Sequence, residues 1–178
     1  MRLASLAALI YAAMIVEAVR ARRNERAQLA RGGVEPPDDA YRAMQVAYPA
    51  AFAAMIVEGL ARPAPPVMVL VLGAAVFAAG KALKWWAIAA LGPFWTFRVV
   101  VVPGAPLVVR GPYRFLRHPN YAGVAAELAG TGLLTGAVIA GPVGIALFGL
   151  LLWKRIRVEN RWLVVASKGH ANALHRGT

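Results

Sequence analysis

The chain of 178 residues has no cysteine, only three histidines and only eight acidic residues. Without cysteine, disulfides, thiolate nucleophiles and cysteine-ligated metals are excluded. Two of the histidines, His170 and His175, fall in the last nine residues, so no metal centre built from several histidines is expected. Charged residues make up 16% of the chain, against 60% hydrophobic residues and a mean hydropathy of +0.57. That is more apolar surface than a globular core absorbs, and it fits a lipid-facing bundle. The charge that remains is one-sided: 20 basic residues give a net charge of +12.

Apolar runs fall at 3–19, 43–60, 66–91, 122–138 and 139–153. A helix of roughly 20 residues crosses the hydrocarbon, and shorter runs can borrow snorkelling flanks. The expected fold is an all-α integral membrane protein. It has five transmembrane helices, the last two forming a C-terminal helical hairpin. The third run carries Lys81 and Lys84, so its last turns are expected to leave the lipid. If the five runs alternate sides, 18 of the 20 basic residues lie on one side and only Arg2 and Arg62 on the other. That bias predicts an N-terminus outside and a cytoplasmic C-terminus in the inner membrane. The charge then sets topology, and nucleic acid binding is not expected. Most of the arginines follow the first run rather than precede it, so it reads as an anchor and not as a cleaved signal.

The first two runs share a segment, "YAAMIVE" at 11–17 and "FAAMIVE" at 52–58, each ending in a glutamate. Glu17 and Glu58 would lie at opposite ends of an antiparallel pair. Gly32-Gly33 and Pro36-Pro37 break the first cytoplasmic loop. Gly73, Gly80, Gly123, Gly130 and Gly132 allow close helix packing, and Gly141-Pro142 marks a tight outer turn. The stretch 81–119 holds Trp85, Trp86 and Trp95, then "VVVVPGAPLVV". The tryptophans can form an interfacial belt, and the valines predict extended or hairpin-like backbone. Residues 164–178 read as a tail that is disordered or only lightly docked.

Polar residues concentrate in two places. In "GPYRFLRHPNYAG" at 111–123, Pro119 disfavours helix at His118. The fourth apolar helix should therefore start at Pro119 or Asn120, with His118 near its N-cap beside Arg114 and Arg117. Free N–H groups at such a start suit an oxygen-rich ligand group. Asn120, Gly123 and Glu127 share one face, and Gly123 leaves room for a ligand or a neighbouring helix. The second place is "KRIRVENRWL" at 154–163. Arg157, Asn160 and Arg161 share one face of that helix, Arg155 and Glu159 another. A hairpin between 122 and 153 brings the two motifs together.

These motifs resemble the isoprenylcysteine carboxyl methyltransferase family of integral membrane methyltransferases. The family pattern is Arg-His-Pro-x-Tyr-x-Gly, a hairpin, then Arg-x-x-Glu-Glu-x-x-Leu. Arg117, His118, Pro119, Tyr121 and Gly123 match the first part; Glu159 and Leu163 match the second. Ile156 stands where the spacing asks for arginine, so Arg155 or Arg157 would serve instead, and Asn160 replaces the second glutamate. The resemblance covers about 65–165, inside a single domain at 1–165 followed by the tail at 166–178. "RRNERAQLARGGVE" and the stretch at 82–113 look closer still to a bacterial branch that methylates phenolic polyketide lipids.

The resemblance implies S-adenosylmethionine (AdoMet) held in a cytoplasmic cofactor pocket between the motifs. Implied cofactor contacts are Tyr113, Arg117, His118, Pro119, Tyr121, Gly123, Glu159 and Asn160. Pro119 and Arg117 would hold the donor's carboxylate, Glu159 its ribose diol or ammonium, and Tyr121 or Tyr113 its adenine or sulfonium. Methyl transfer is a direct displacement, so alignment supplies most of the catalysis. A phenol or enol acceptor also needs a base, for which His118, Glu127 and Glu159 are candidates. A carboxylate acceptor would need a cation such as Arg157. The expected partners are a lipophilic small-molecule substrate and membrane lipid, with no metal. Competing readings are methylation of isoprenylcysteine carboxylate or phospholipid, an NADPH-dependent reductase of the sterol-reductase type, and a non-enzymatic membrane subunit.

Overall fold

The computed structural model describes residues 2–105 and 107–175, with side chains as far as Trp162. Five helices form: α1 (Arg2–Leu29), α2 (Tyr41–Leu60), α3 (Val67–Leu91), α4 (Pro119–Thr135) and α5 (Ala140–His175). Three stretches, Arg2–Leu29, Tyr41–Leu60 and Val67–Phe94, are long and apolar enough to cross a membrane. The other two fall short for visible reasons. Helix α4 has only 17 residues, and the apolar part of α5 meets Lys154, Arg155 and Arg157 within its first five turns. The backbone of α5 stays helical to His175. Side chains beyond Trp162, those of Leu163, His170 and His175 among them, and all of residues 176–178 lie outside the described residues, so of the expected tail only backbone to His175 is described.

Two sequence expectations need correction. The outer turn is not at Gly141-Pro142. Helix α4 ends when Gly136 takes φ +70°, a left-handed C-cap whose N–H returns to the Gly132 and Leu133 carbonyls. Gly141 and Pro142 then sit in the first turn of α5, where a proline's missing N–H leaves no bond unmade. The valine-rich segment makes no hairpin with itself either. Val101 forms a lone antiparallel bridge with Val34 of the α1–α2 loop.

Helices α3 and α4 approach most closely. A Cβ on Gly80 would lie 2.9 Å from the Gly123 carbonyl oxygen, and one on Gly123 would lie 2.9 Å from both the Gly80 carbonyl oxygen and the Lys84 Cβ. Two glycines facing each other let the backbones touch, as small residues do between membrane helices. Gly123 therefore serves the neighbouring helix. The core beside it packs Phe52, Met55, Phe77, Leu128 and Phe148 from α2, α3, α4 and α5.

The chain runs up and down, so one end of the bundle gathers the C-terminal end of α1, the start of α2, the end of α3 and the start of α4. Asn24 of α1 donates to the Gly92 and Trp95 carbonyls there, at 3.0 and 2.8 Å. At the other end Glu58 accepts from the Ile139 and Ala140 N–H groups, closest at 2.6 Å, and caps the start of α5. The repeated glutamate does something different in α1, where Glu17 is buried inside the bundle.

Candidate active site

At the gathered end the chain encloses a cavity of about 1120 Å³. Its walls come from α1, α2, Lys84 and Leu91 of α3, the irregular segment after Phe94, the start of α4, and both apolar and charged residues of α5. Pockets that hold drug-sized ligands run to roughly 300–1,000 Å³, so this one is large enough for a cofactor-sized molecule.

The start of α4 forms as its sequence predicts. His118 is the N-cap and Pro119 is N1. With no N–H to satisfy and φ preset, proline begins the helix at that residue. One turn in, the Tyr121 hydroxyl donates to Glu159 Oε2 at 2.7 Å and accepts from Arg155 Nε at 2.8 Å. His118 stacks on the Tyr121 ring at 5.4 Å, nearly parallel, and its Nδ1 is 3.9 Å from Glu159 Oε2. The two polar motifs therefore meet on one wall of the cavity. Burial, and then the charge of Glu159, hold the Tyr113 phenol above its ordinary range, so it stays a neutral hydroxyl at physiological pH.

Of the two arginines the spacing left open, Arg155 is the one that turns inward. It is 5% exposed, and beyond Tyr121 it reaches Asp39 Oδ1 at 3.2 Å. Asp39 also accepts from the Val99 N–H at 2.9 Å. One carboxylate thus ties the α1–α2 loop to both α5 and the irregular segment. Arg157 faces elsewhere: its guanidinium lies 3.6 Å from the centre of the Trp153 ring, and it does not border the cavity. A step of two residues turns a helix by about 200°, which is why only one of these arginines can face inward.

Tyr113, Arg117, His118, Tyr121, Glu159 and Asn160 all border the cavity. Pro119 is buried as the helix start, and Gly123 is spent on α3. Glu127 stands apart as well. It is 1% exposed, with Oε2 accepting from Tyr48 at 2.6 Å and lying 3.0 Å from Lys81 Nζ and 3.5 Å from Lys84 Nζ. Lys84, near the end of the third apolar run, turns into the bundle. It is 2% exposed and sits 2.6 Å from Glu17, because a buried lysine is held by carboxylates when it cannot reach water.

Sequence reading missed Asp39, Lys84, Tyr48 and Trp95 as parts of this region. Only the position of Lys84 inside an apolar run, beside two unexplained glutamates, could have signalled them. Trp95 is no belt residue; it is 2% exposed and packs with Ala21 and Ile88. Besides the Glu17 oxygens, which Lys84 and Lys81 face, two buried side-chain atoms of cavity-lining residues lack a hydrogen-bond partner among the described residues, Asn120 Oδ1 and Trp95 Nε1. One accepts and the other donates, so the pocket suits a ligand carrying both kinds of group.

Comparison with known proteins bears on the same region. A 158-residue match, 31% identical, links the chain to YpbQ of Bacillus subtilis (strain 168), described as uncharacterized, across 89% of this chain and 94% of that one. A Haemophilus influenzae protein, also described as uncharacterized, is 25% identical over 77% of this chain and 80% of its own. No solved structure matches significantly. The model of the isoprenylcysteine carboxyl methyltransferase (ICMT) family matches residues 71–165, from α3 through both polar motifs. With more than half its length matched, and His118, Tyr121 and Glu159 converging on one cavity, this membrane protein belongs to the ICMT family of methyltransferases.

Proposed function

We propose that the chain is a membrane-embedded, AdoMet-dependent O-methyltransferase acting on a lipophilic acceptor, the phenol or enol hydroxyl of a polyketide-type lipid. The observation that carries this reading is the convergence of the His118–Tyr121 start of α4 with Glu159 of α5 at the cavity wall. The residues fit the donor. Glu159 offers a carboxylate to hydroxyls or an ammonium, and Arg117 offers a cation to a carboxylate. Asn120 Oδ1 and Trp95 Nε1 supply an acceptor and a donor that are otherwise unpaired. Bound AdoMet supplies an electrophilic methyl group on sulfur.

The protein's part is alignment. Arg155 fixes the Tyr121 hydroxyl, Tyr121 fixes Glu159, and Asp39 fixes Arg155. Each member of the wall is therefore set by the next before a ligand arrives. The segment 99–109 and the apolar faces of α1 and α2 wall the rest of the cavity and give a lipid tail a dry path.

In this reading all five helices cross the inner membrane, α4 and α5 as a short hairpin shielded by α2 and α3. The N-terminus is outside, and the cavity opens to the cytoplasm beside most of the basic residues. Glu127 and Arg157 then act in stability and at the lipid interface rather than on the methyl group.

The test is AdoMet binding by detergent-purified protein, followed by transfer of a labelled methyl group to a lipid extract. Saturable binding and a labelled lipid support the reading. An absence of binding by folded protein overturns it.

A further inference from the structure

The cavity has a second polar wall that the donor site does not use. Only two carboxylates border the cavity among the described residues, Glu159 and Glu17. Glu159 is already engaged by Tyr121. Glu17, on α1, is 1% exposed, and neither of its oxygens makes a hydrogen bond of good geometry, although Lys84 Nζ lies 2.6 Å from Oε2 and Lys81 Nζ 3.5 Å from Oε1. Tyr48 of α2 stands behind Lys84 and accepts from its Nζ at 3.3 Å, while its own proton goes to Glu127 of α4. Elements α2, α3 and α4 thus each bring a charged or polar group to this cluster, and Glu17, Lys84 and Tyr48 all border the cavity.

The two walls are close. Lys84 Cβ lies 2.9 Å from where a Gly123 Cβ would be, and Gly123 is two residues after Tyr121. Between Tyr121 and Glu127 the axis of α4 advances only about 9 Å at 1.5 Å per residue. A head group held at Glu17 is therefore within a short molecule's length of the donor wall.

We propose that Glu17 and Lys84 hold the hydroxyl of the methyl acceptor and remove its proton. The inference rests on the methyltransferase reading above and assigns the base. The acceptor O–H bond breaks, and the proton joins a Glu17 carboxylate oxygen. The electron pair stays on the acceptor oxygen, faced by the Lys84 ammonium. That pair then forms the bond to the methyl carbon, while the electrons of the carbon–sulfur bond remain on sulfur. The proton leaves Glu17 through the cavity.

Charge balance selects the acceptor class. Lys81 and Lys84 offset Glu17 and Glu127, so the buried cluster is neutral. A neutral hydroxyl that passes its proton to Glu17 leaves that sum unchanged. A carboxylate would add an unpaired negative charge and a choline-like head an unpaired positive one, both costly in a dry site.

The test uses labelled AdoMet and three long-chain probes in detergent: an alkylphenol, an alkylnitrophenol that is largely ionised at neutral pH, and an alkylbenzoate. Wild-type protein is expected to methylate the phenols and not the benzoate. Glu17→Gln should keep AdoMet affinity and lose about 10²–10⁴-fold in transfer to the alkylphenol. The loss should shrink to about tenfold or less with the nitrophenol, which needs no base. An equal loss on both phenols, or none, overturns the assignment while leaving the methyltransferase reading intact. Should Glu17→Gln fail to fold, wild-type protein alone decides: benzoate methylated as fast as phenol refutes the charge argument. AdoMet bound but no probe methylated by wild type refutes the acceptor class, and no AdoMet bound refutes the function itself.

Discussion

Two polar clusters share helix α4 but live in different surroundings. The one at its first turn joins His118, Tyr121, Arg155 and Glu159, with the His118 and Glu159 side chains 20% and 30% exposed to the cavity. The one a turn and a half deeper joins Lys81, Lys84, Glu17, Glu127 and Tyr48; there the Lys84, Glu17 and Glu127 side chains are only 1–2% exposed. The first leaves unpaired polar atoms for a ligand nearby. In the second, two cations and two carboxylates balance in charge inside an apolar bundle, and both oxygens of Glu17 are left without a hydrogen bond of good geometry. The contrast shows that charge in an apolar helix has two uses: Glu127 serves only its neighbours, whereas Glu17 and Glu159 border the cavity, and the fold decides which.

Substitutions in the two clusters should separate cleanly. Glu127→Ala leaves buried Lys84 and half-buried Lys81 to share one carboxylate, and should lower stability by about 3–5 kcal/mol, seen as a large drop in thermal midpoint in detergent. Glu159→Ala should do the reverse. It should cost about 100-fold in AdoMet affinity, or ~2.7 kcal/mol, with little change in the midpoint. If Glu127→Ala lost AdoMet binding while staying as stable as wild type, the division between the clusters would be wrong.

The paired arginines sharpen the point within one helix turn. Arg155→Met should weaken AdoMet binding roughly 10–100-fold, the loss expected for charge-assisted hydrogen bonds worth about 1.5–3 kcal/mol, whereas Arg157→Met should leave it unchanged. Calorimetric titration of the two variants side by side is the check. Gly123→Ala probes the seam between the clusters. Its Cβ would meet α3 backbone at 2.9–3.0 Å, so a stability loss of about 1–3 kcal/mol is expected, read by thermal denaturation. The smallest effect is expected at Glu58→Gln, far from both clusters. It should lower the midpoint slightly and leave AdoMet binding untouched.

Much of the fold was legible. Apolar runs marked all five helices, and Pro119 announced the start of α4, because proline's constraints act on the backbone locally. The meeting of "RHPNY" with "RVEN" was also legible, since a short hairpin between them leaves little choice. The turn at Gly136 was misjudged because Gly-Pro suits the first turn of a helix as well as it suits a loop. Asp39 was missed altogether. It lies 116 residues from Arg155, and nothing in "EPPDD" distinguishes an aspartate that anchors an arginine from one that merely faces water.

Taken alone, the sequence determined that this is an apolar bundle with strongly biased charge, and that its two polar motifs lie at the ends of neighbouring helices. Periodicity, proline and glycine act over a few residues and can be read without coordinates. The tertiary structure decided which of Arg155 and Arg157 turns inward, that Gly123 serves α3, and that Glu17 and Lys84 meet across the bundle. Those outcomes depend on helix rotation and on contacts between distant segments, which local sequence does not encode.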